Sequence, residues 1–490
     1  MYSKATKGLS LFPRSTKRHF SRIFHVTDSE GNLPSFFSAI NNSTTVKFNP
    51  DNGLSFHNTK EKPYFIFGGD ATDRGNSDIA LSKLLLDFKK RYPEQVFLLV
   101  GNRDVTKNRF KIELDRGQIR SRLLNSQSPR WLPQNPTVPL DYVNEEMKAQ
   151  KYSASVLDFV NSLSIEQCQL IYLKWMLDKT MGCPHSFRHR KEELEKANPN
   201  SFISDTMILH SFLKESAPDG INGEYLQHAQ VGVIIPNTGV LTVHGGLQPD
   251  NIGRIPGMDI NAPPIQDARL WISQFNNWYE KQIKTWIDYS AINLTEPAFS
   301  QLDECVLPIP GKSKSIITAD MLDPKRQFTK IPEEVSRYLR ENGIQVVLTG
   351  HQPCGDHPAL LRDKGLLFIN GDTGYAAFNP QIADDTRGGA THTLEIIANK
   401  DKADIDLRAS LPNKIKIRTQ LSIRPDTIDG DPYVGLITPA HELVQCQLPD
   451  GNYRLVYQEG FNVKYSTHPS STMNQLLDSD EQNRKNCRIS

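Results

Sequence analysis

Residues 64–75 read Tyr-Phe-Ile-Phe-Gly-Gly-Asp-Ala-Thr-Asp-Arg-Gly. A short apolar run that stops at a glycine-bearing turn reads as a buried strand. The turn itself carries reactive groups: two aspartates and an arginine within five residues. The same figure recurs along the chain. Arg22–Thr27 runs into Asp28-Ser29-Glu30-Gly31-Asn32, and Val96–Val100 into Gly101-Asn102-Arg103-Asp104. Val240–Val243 runs into His244-Gly245-Gly246-Leu247-Gln248-Pro249-Asp250, and Gln345–Thr349 into Gly350-His351-Gln352-Pro353. A sixth run, Leu366–Ile369, ends in Asn370-Gly371-Asp372. Between the second and third runs, Ser77–Arg91 places Ile79, Leu81, Leu84, Leu85 and Phe88 at helical spacing. Strand, helix, strand indicates an α/β fold with buried sheets.

Carboxylates, an amide and two imidazoles thus stand at the carboxyl ends of five strands. In an α/β sheet those ends converge on one crevice, where ligands bind. Oxygen and nitrogen donors without thiolates suit Mn²⁺, Mg²⁺, Fe or Zn²⁺ rather than softer ions. Taken singly the pieces are weak. A lone Asp-x-Glu after a strand is ordinarily a turn or a helix cap, and a lone buried histidine is ordinarily a satisfied core residue. Five such pieces, each on a strand end, argue for a metal centre.

GDATDRG, GNRD, HGGLQPD and GHQP resemble, in order and spacing, the motifs of the metallophosphoesterase superfamily, and within it the phosphoprotein phosphatase (calcineurin-like) family. The resemblance covers roughly residues 23–106 and 231–380. GNRDVTKNR, WMLDKTMG, GEYLQHAQ and INGDTGYA resemble a divergent branch of that family that includes the Wip effector phosphatases. The resemblance implies a four-layer α/β/β/α sandwich around two divalent metal ions, hydrolysing phosphomonoesters by two-metal activation of a bridging hydroxide. It implies that Asp28 ligates the first metal, that Asp70 bridges both, and that Asn102, His244 and His351 ligate the second. Arg74 matches the phosphate-binding arginine, and a guanidinium can clamp phosphate oxygens bidentately. Asp73 matches the carboxylate that orients the family's general-acid histidine. Tyr375 falls near a tyrosine that lines the family's site, and Asp372 is a candidate supporting group.

Two positions depart from the family pattern. Glu30 stands where a histidine ligand is usual; with Asp28 and Asp70 it makes the first site harder, which favours Mn²⁺ or Mg²⁺ over Zn²⁺. Arg103 stands where the family has its general-acid histidine. Arginine stays protonated and does not hand over a proton at neutral pH, though it stabilises charge on the phosphoryl group or the departing oxygen. A phenolate needs protonation less than an alkoxide, since the tyrosine pKa is about 10. The expectation is a lean toward aryl phosphates, including phosphotyrosine, unless Asp104 or a metal-bound water supplies the proton.

The rest of the chain frames this site. Residues 107–230 carry helical patterning, as in Ile171 with Trp175 and Leu173 with Leu177, and read as a mostly helical insertion or cap. The catalytic domain is then 23–106 plus 231–423. Arg424–Pro432 reads as a linker, 432–466 as a small β module with a hairpin at Pro449-Asp450-Gly451, and 467–490 as a disordered tail. His185, His357 and the basic run Arg188–Lys191 read as structural or solvated. Residues 1–22 form a basic tail without acids, which fits a cytoplasmic protein, with a mitochondrial address or delivery into a host cell as alternatives.

The net charge of +1 over 490 residues offers no field for nucleic acid or an anionic membrane. No apolar run reaches the ~18 residues of a membrane span, and the six cysteines form no CxxC pair. The expected partner is a phosphorylated protein or a small phosphomonoester. Two rival readings share the pattern: a nucleotide phosphohydrolase or phosphodiesterase on the same metal platform, and a catalytically degenerate phosphatase that serves as a binding protein.

Overall fold

Alternation along the central strands sets the layers. On the strand Ser21–Val26, Ile23 faces one core with Tyr64, Ile66 and Leu99, while Phe24 and Val26 face another with Phe36, Leu81, Leu85 and Phe88. Side chains of a strand point alternately to its two faces, so a strand apolar on both faces must be covered on both. The computed structural model describes residues 20–129, 136–259, 261–292, 301–307, 314–374 and 387–478.

The larger sheet has eight strands in the order Thr427–Gly430, Lys416–Arg424, Ala403–Ser410, Thr391–Ala398, Ser21–Val26, Lys62–Phe67, Val96–Leu99, Ala229–Gln230. From Ser21–Val26 to Ala229–Gln230 the neighbours are parallel; the other four are joined antiparallel. The second sheet has five strands: Ala359–Asp363, Leu366–Asn370, Val346–Thr349, Val240–Val243, Gly232–Ile234. The sheets face each other across a shared core in which Ile23, Ile66 and Leu394 of the first meet Val240, Leu348 and Ile369 of the second. Helices Leu33–Asn41 and Asp78–Arg91 cover the first sheet through Phe36, Ile40, Leu81 and Leu85. Helices Ala268–Ile292 and Glu333–Glu341 cover the second through Trp271, Phe275, Val335 and Leu339. The result is the α/β/β/α sandwich.

The segment after Val96–Leu99 is helical from Arg109–Glu113 to Ile221–His228 and builds a core of its own around Phe110, Phe159, Trp175 and Leu209. Within it, Met176–Thr180 is a π-turn, a geometry that tends to mark functional sites. The C-terminal strands Glu442–Gln447, Tyr453–Glu459 and Asn462–His468 form a third sheet. Leu443 and Val456 join the outer core of the second sheet, while Val444 and Leu455 join the core between the two large sheets.

Two expectations change here. The stretch expected as a linker turns at Pro425-Asp426, and Thr427–Gly430 pairs back on Lys416–Arg424 as the edge of the large sheet. The stretch expected to be disordered from 467 instead continues the third sheet to His468, and Met473 is fully buried in the central core. Residues 479–490 and the basic stretch 1–19 lie outside the described residues. Among the described residues, no helix is long and apolar enough to cross a membrane.

Candidate metal centre

The strand ends bend sharply where the donors stand. Asp28, Glu30, Asp70 and His351 all adopt left-handed backbone, with φ of 51°, 44°, 53° and 76°. Such conformations are costly for residues other than glycine and persist where the surroundings over-determine them. Asp104 supplies part of that determination. Its two oxygens accept the backbone N–H groups of Asp70, Ala71 and Gly101, each at 2.9 Å. The two strand ends then approach so closely that a Cβ at Gly101 would lie 2.0 Å from Asp70 Oδ1.

Donor atoms of Asp70, His244 and His351 lie within 4.8 Å of one another. His244 Nδ1 donates to the carbonyl of Gly68 at 2.8 Å, which orients Nε2 toward Asp70 Oδ2, 3.4 Å away. This second-atom bond is how ligating histidines are held. Asn102 Oδ1 sits 2.8 Å from His351 Nδ1 and 3.4 Å from His244 Nε2. Asp28 borders the group, its oxygens accepting the His351 N–H at 3.0 and 3.1 Å.

The residues fit a divalent cation. Asp70 Oδ2 is buried, and its nearest polar neighbours, His244 Nε2 at 3.4 Å and Arg103 Nε at 3.6 Å, stand farther off than an ordinary hydrogen bond to a carboxylate. Burial alone would lower the His244 pKa, yet the neighbouring Asp70 and Asp28 carboxylates raise it to about 10. Burial, then Asp372 and Asp70, push Asp28 well above the carboxylate range. The His244 shift in particular reports buried negative charge that a cation would neutralise.

Beside the donors lies a cluster of cations. Glu30, expected as a ligand of the first metal, belongs to this cluster. Its Oε1 takes Arg103 Nε at 2.8 Å and its Oε2 lies 3.5 Å from Arg74 Nε. Glu30 thus faces Arg103 and Arg74 rather than the Asp70, His244 and His351 donors, while its Oε2 makes no hydrogen bond. Asp73 is bound by both Arg103 Nη1 and Lys107 Nζ. Burial raises its pKa, but Lys107 and Arg103 outweigh that and hold it below the usual value. Arg103 also donates to the carbonyl of Met181, just after the π-turn of the helical segment, at 3.3 Å, and Ser186 Oγ donates to the carbonyl of Asp73. The helical segment therefore touches the site directly.

Asp104 does not suit the proton-donor role considered for it: it is fully buried, with both oxygens engaged by backbone N–H groups. It positions Asp70 and Asn102. Asp372 is buried, accepts the N–H of Gly374 at 2.8 Å, and adds negative charge near Asp28 and Glu30. Tyr375 lies outside the described residues. Sequence reasoning misses Lys107; its signal is a basic residue four positions after Arg103, on the same face of a helical turn. Arg326 and Arg387, which both bind the side chain of Gln352 beside His351, carry no local sequence signal.

Residues 21–178 match the family model for calcineurin-like phosphoesterases. This span holds Asp28, Glu30, Asp70, Asp73, Arg74, Asn102, Arg103 and Asp104; His244 and His351 lie beyond it. No curated protein sequence matches the chain. Among solved structures, one described as a protein serine/threonine phosphatase from Saccharomyces cerevisiae with similarity to human phosphatase PP5 is 12% identical, covering 93% of this chain and 82% of that one with a TM-score of 0.33. Residues 21–178, about a third of the chain, are thus similar to the calcineurin-like phosphoesterases, a family of hydrolases.

Proposed function

We propose that this protein is a metal-dependent phosphomonoesterase acting on phosphorylated proteins, with a preference for aryl phosphates such as phosphotyrosine. The observation that carries the reading is the convergence of Asp70, His244 and His351 donors within 4.8 Å, beside a partly buried arginine at the general-acid position. Asp70, Asn102, His244 and His351, with Asp28 adjacent, would hold two divalent ions; the carboxylate, amide and imidazole donors suit Mn²⁺, Mg²⁺, Fe or Zn²⁺, and Mn²⁺ is taken as the first candidate. Bound there, such ions polarise a phosphoryl group and acidify a water.

The chain's own residues do the rest. Arg74, with its side chain 23% exposed, binds phosphoryl oxygens. Arg103 faces the charge that develops as the ester bond breaks. Burial opposes its charge, but Glu30, Asp73 and Asp70 raise its pKa well above the ordinary value, so it stabilises the leaving oxygen without protonating it. Asp73 and Lys107 fix the guanidinium in place. An aryl leaving group departs under these conditions more readily than a seryl alkoxide.

The test compares kcat/KM on phosphotyrosine and phosphoserine peptides for wild type and Arg103→His. Wild type should favour phosphotyrosine. The histidine variant should recover phosphoserine hydrolysis by about 10²-fold, the low end of general-acid catalysis. Equal wild-type values, or a serine preference, would remove the argument for aryl esters; turnover of diesters alone would replace the monoesterase reading.

A further inference from the structure

The loop that carries His351 is gripped by the C-terminal sheet. Gln352 Oε1 accepts Arg387 Nη1 at 2.7 Å and Arg326 Nη2 at 3.1 Å. Both guanidiniums lie over the ring of Phe461, 4.2 Å and 5.0 Å from its centroid, and Arg326 Nε donates to the carbonyl of Gly460 at 3.1 Å. Gly460 and Phe461 form the tip of the hairpin between Tyr453–Glu459 and Asn462–His468. Four residues beyond Gln352, Arg454 of the same hairpin holds Asp356 bidentately at 2.7 and 2.9 Å. The Asp356 N–H donates to Tyr465 Oη at 2.8 Å, and Arg454 lies over the Tyr465 ring at 3.7 Å. Between the two grips, Gly355 has φ +97°, and a Cβ there would meet Gln445 Nε2 at 3.0 Å and Val456 Cγ2 at 3.2 Å.

A bidentate guanidinium–carboxylate pair fixes direction as well as distance. Partly desolvated cation–π contacts hold where exposed ones slip. His351 draws on such support, because its backbone is left-handed, a conformation uncommon outside glycine. A sheet whose role was only to recruit substrate has no need to clamp both ends of a ligand-bearing loop.

We infer that the C-terminal sheet is a positioning element of the metal centre, in which Phe461, Arg454 and Tyr465 fix the 351–356 loop so that His351 meets its cation in register. The inference rests on the proposed reading of Asp70, His244 and His351 as metal ligands. These three positioning residues act through Gln352 and Asp356, and supporting residues of this kind typically alter metal affinity by about 10- to 100-fold.

The test is Mn²⁺ binding by calorimetry to the chelator-stripped full chain, with hydrogen exchange of the 350–356 amides in parallel. Phe461→Ala should weaken Mn²⁺ binding about tenfold and speed exchange in that loop, with little change in thermal midpoint, and Phe461→Tyr should restore wild-type affinity. Tyr465→Phe, which removes the hydroxyl that meets Asp356, should weaken binding in the same sense and serves if the alanine variant does not fold. Mn²⁺ uptake by wild type with unchanged affinity in Phe461→Ala and Tyr465→Phe overturns the inference and leaves the metal-centre reading standing. A wild type that takes up no Mn²⁺ overturns that reading and the inference with it.

Discussion

Lys107 shows how much a single side chain decides at this site. Its ammonium is buried against Asp73, and the pair is shared with Arg103. Removing one partner of a buried ion pair costs about 3 kcal/mol or more, because the other charge is left uncompensated. Lys107→Met leaves Asp73 paired with Arg103 alone, so it should destabilise the fold at pH 7 by less than that amount, about 1–2 kcal/mol, and lower kcat, since Arg103 loses its fixed neighbour. The pH dependence has a defined sign. The Asp73 pKa is held below its ordinary value, so its contribution is present above the unfolded carboxylate pKa of about 4 and is lost as pH falls through the depressed value. Burial lowers the Lys107 pKa, but Asp73 outweighs it and raises it, so that contribution is present below about pH 10 and is lost as pH rises through the raised value. Thermal unfolding of both proteins across pH should show a gap that is widest between about pH 4 and 10 and narrows on either side. A gap unchanged in strong acid would contradict the role given to Asp73. Sequence alone identifies Asp73 and Arg103 because both fall inside a motif. Lys107 lies outside one, and only the helical turn brings it to the same carboxylate.

At the scale of elements, the strand ends are readable because each pairs a run of buried apolar residues with a polar turn, and both halves of that signal are local. What the turns do is not readable. Sequence makes Asp104 a possible acid, whereas its surroundings make it a clasp between the ends of Lys62–Phe67 and Val96–Leu99. Sequence makes Glu30 a ligand, and the arginines that claim it come from two other strand ends. Both outcomes depend on contacts between turns far apart in sequence. Gly101→Ala tests the clasp: the added methyl collides with the Asp70 carboxylate and backbone. A shift of about 1 Å at this point should cost about 10²-fold in kcat, measured on p-nitrophenyl phosphate, while the circular dichroism spectrum stays that of wild type. Wild-type turnover would show that the two strand ends tolerate separation.

Across the whole molecule, the four-layer arrangement follows from strands apolar on both faces, and that pattern is visible in Tyr64–Phe67 and Val346–Thr349. The C-terminal sheet is visible as strands, but not its attachment: Leu443 and Val456 enter one core, while Val444, Leu455 and Met473 enter another. Alternating hydrophobicity says that a strand has a buried face and does not say against what. A chain ending at residue 431 would expose both cores, so it should be insoluble or lack a cooperative unfolding transition. A soluble truncated chain with cooperative melting would show the sheet to be dispensable. The central claim, a metal-dependent phosphomonoesterase, is tested most directly by p-nitrophenyl phosphate turnover of chelator-stripped protein titrated with Mn²⁺, for wild type beside Asp70→Asn. The account predicts turnover that rises with Mn²⁺ in wild type and is lost in the variant, whose folded state is retained. Wild-type turnover independent of metal, or an active Asp70→Asn, would contradict it.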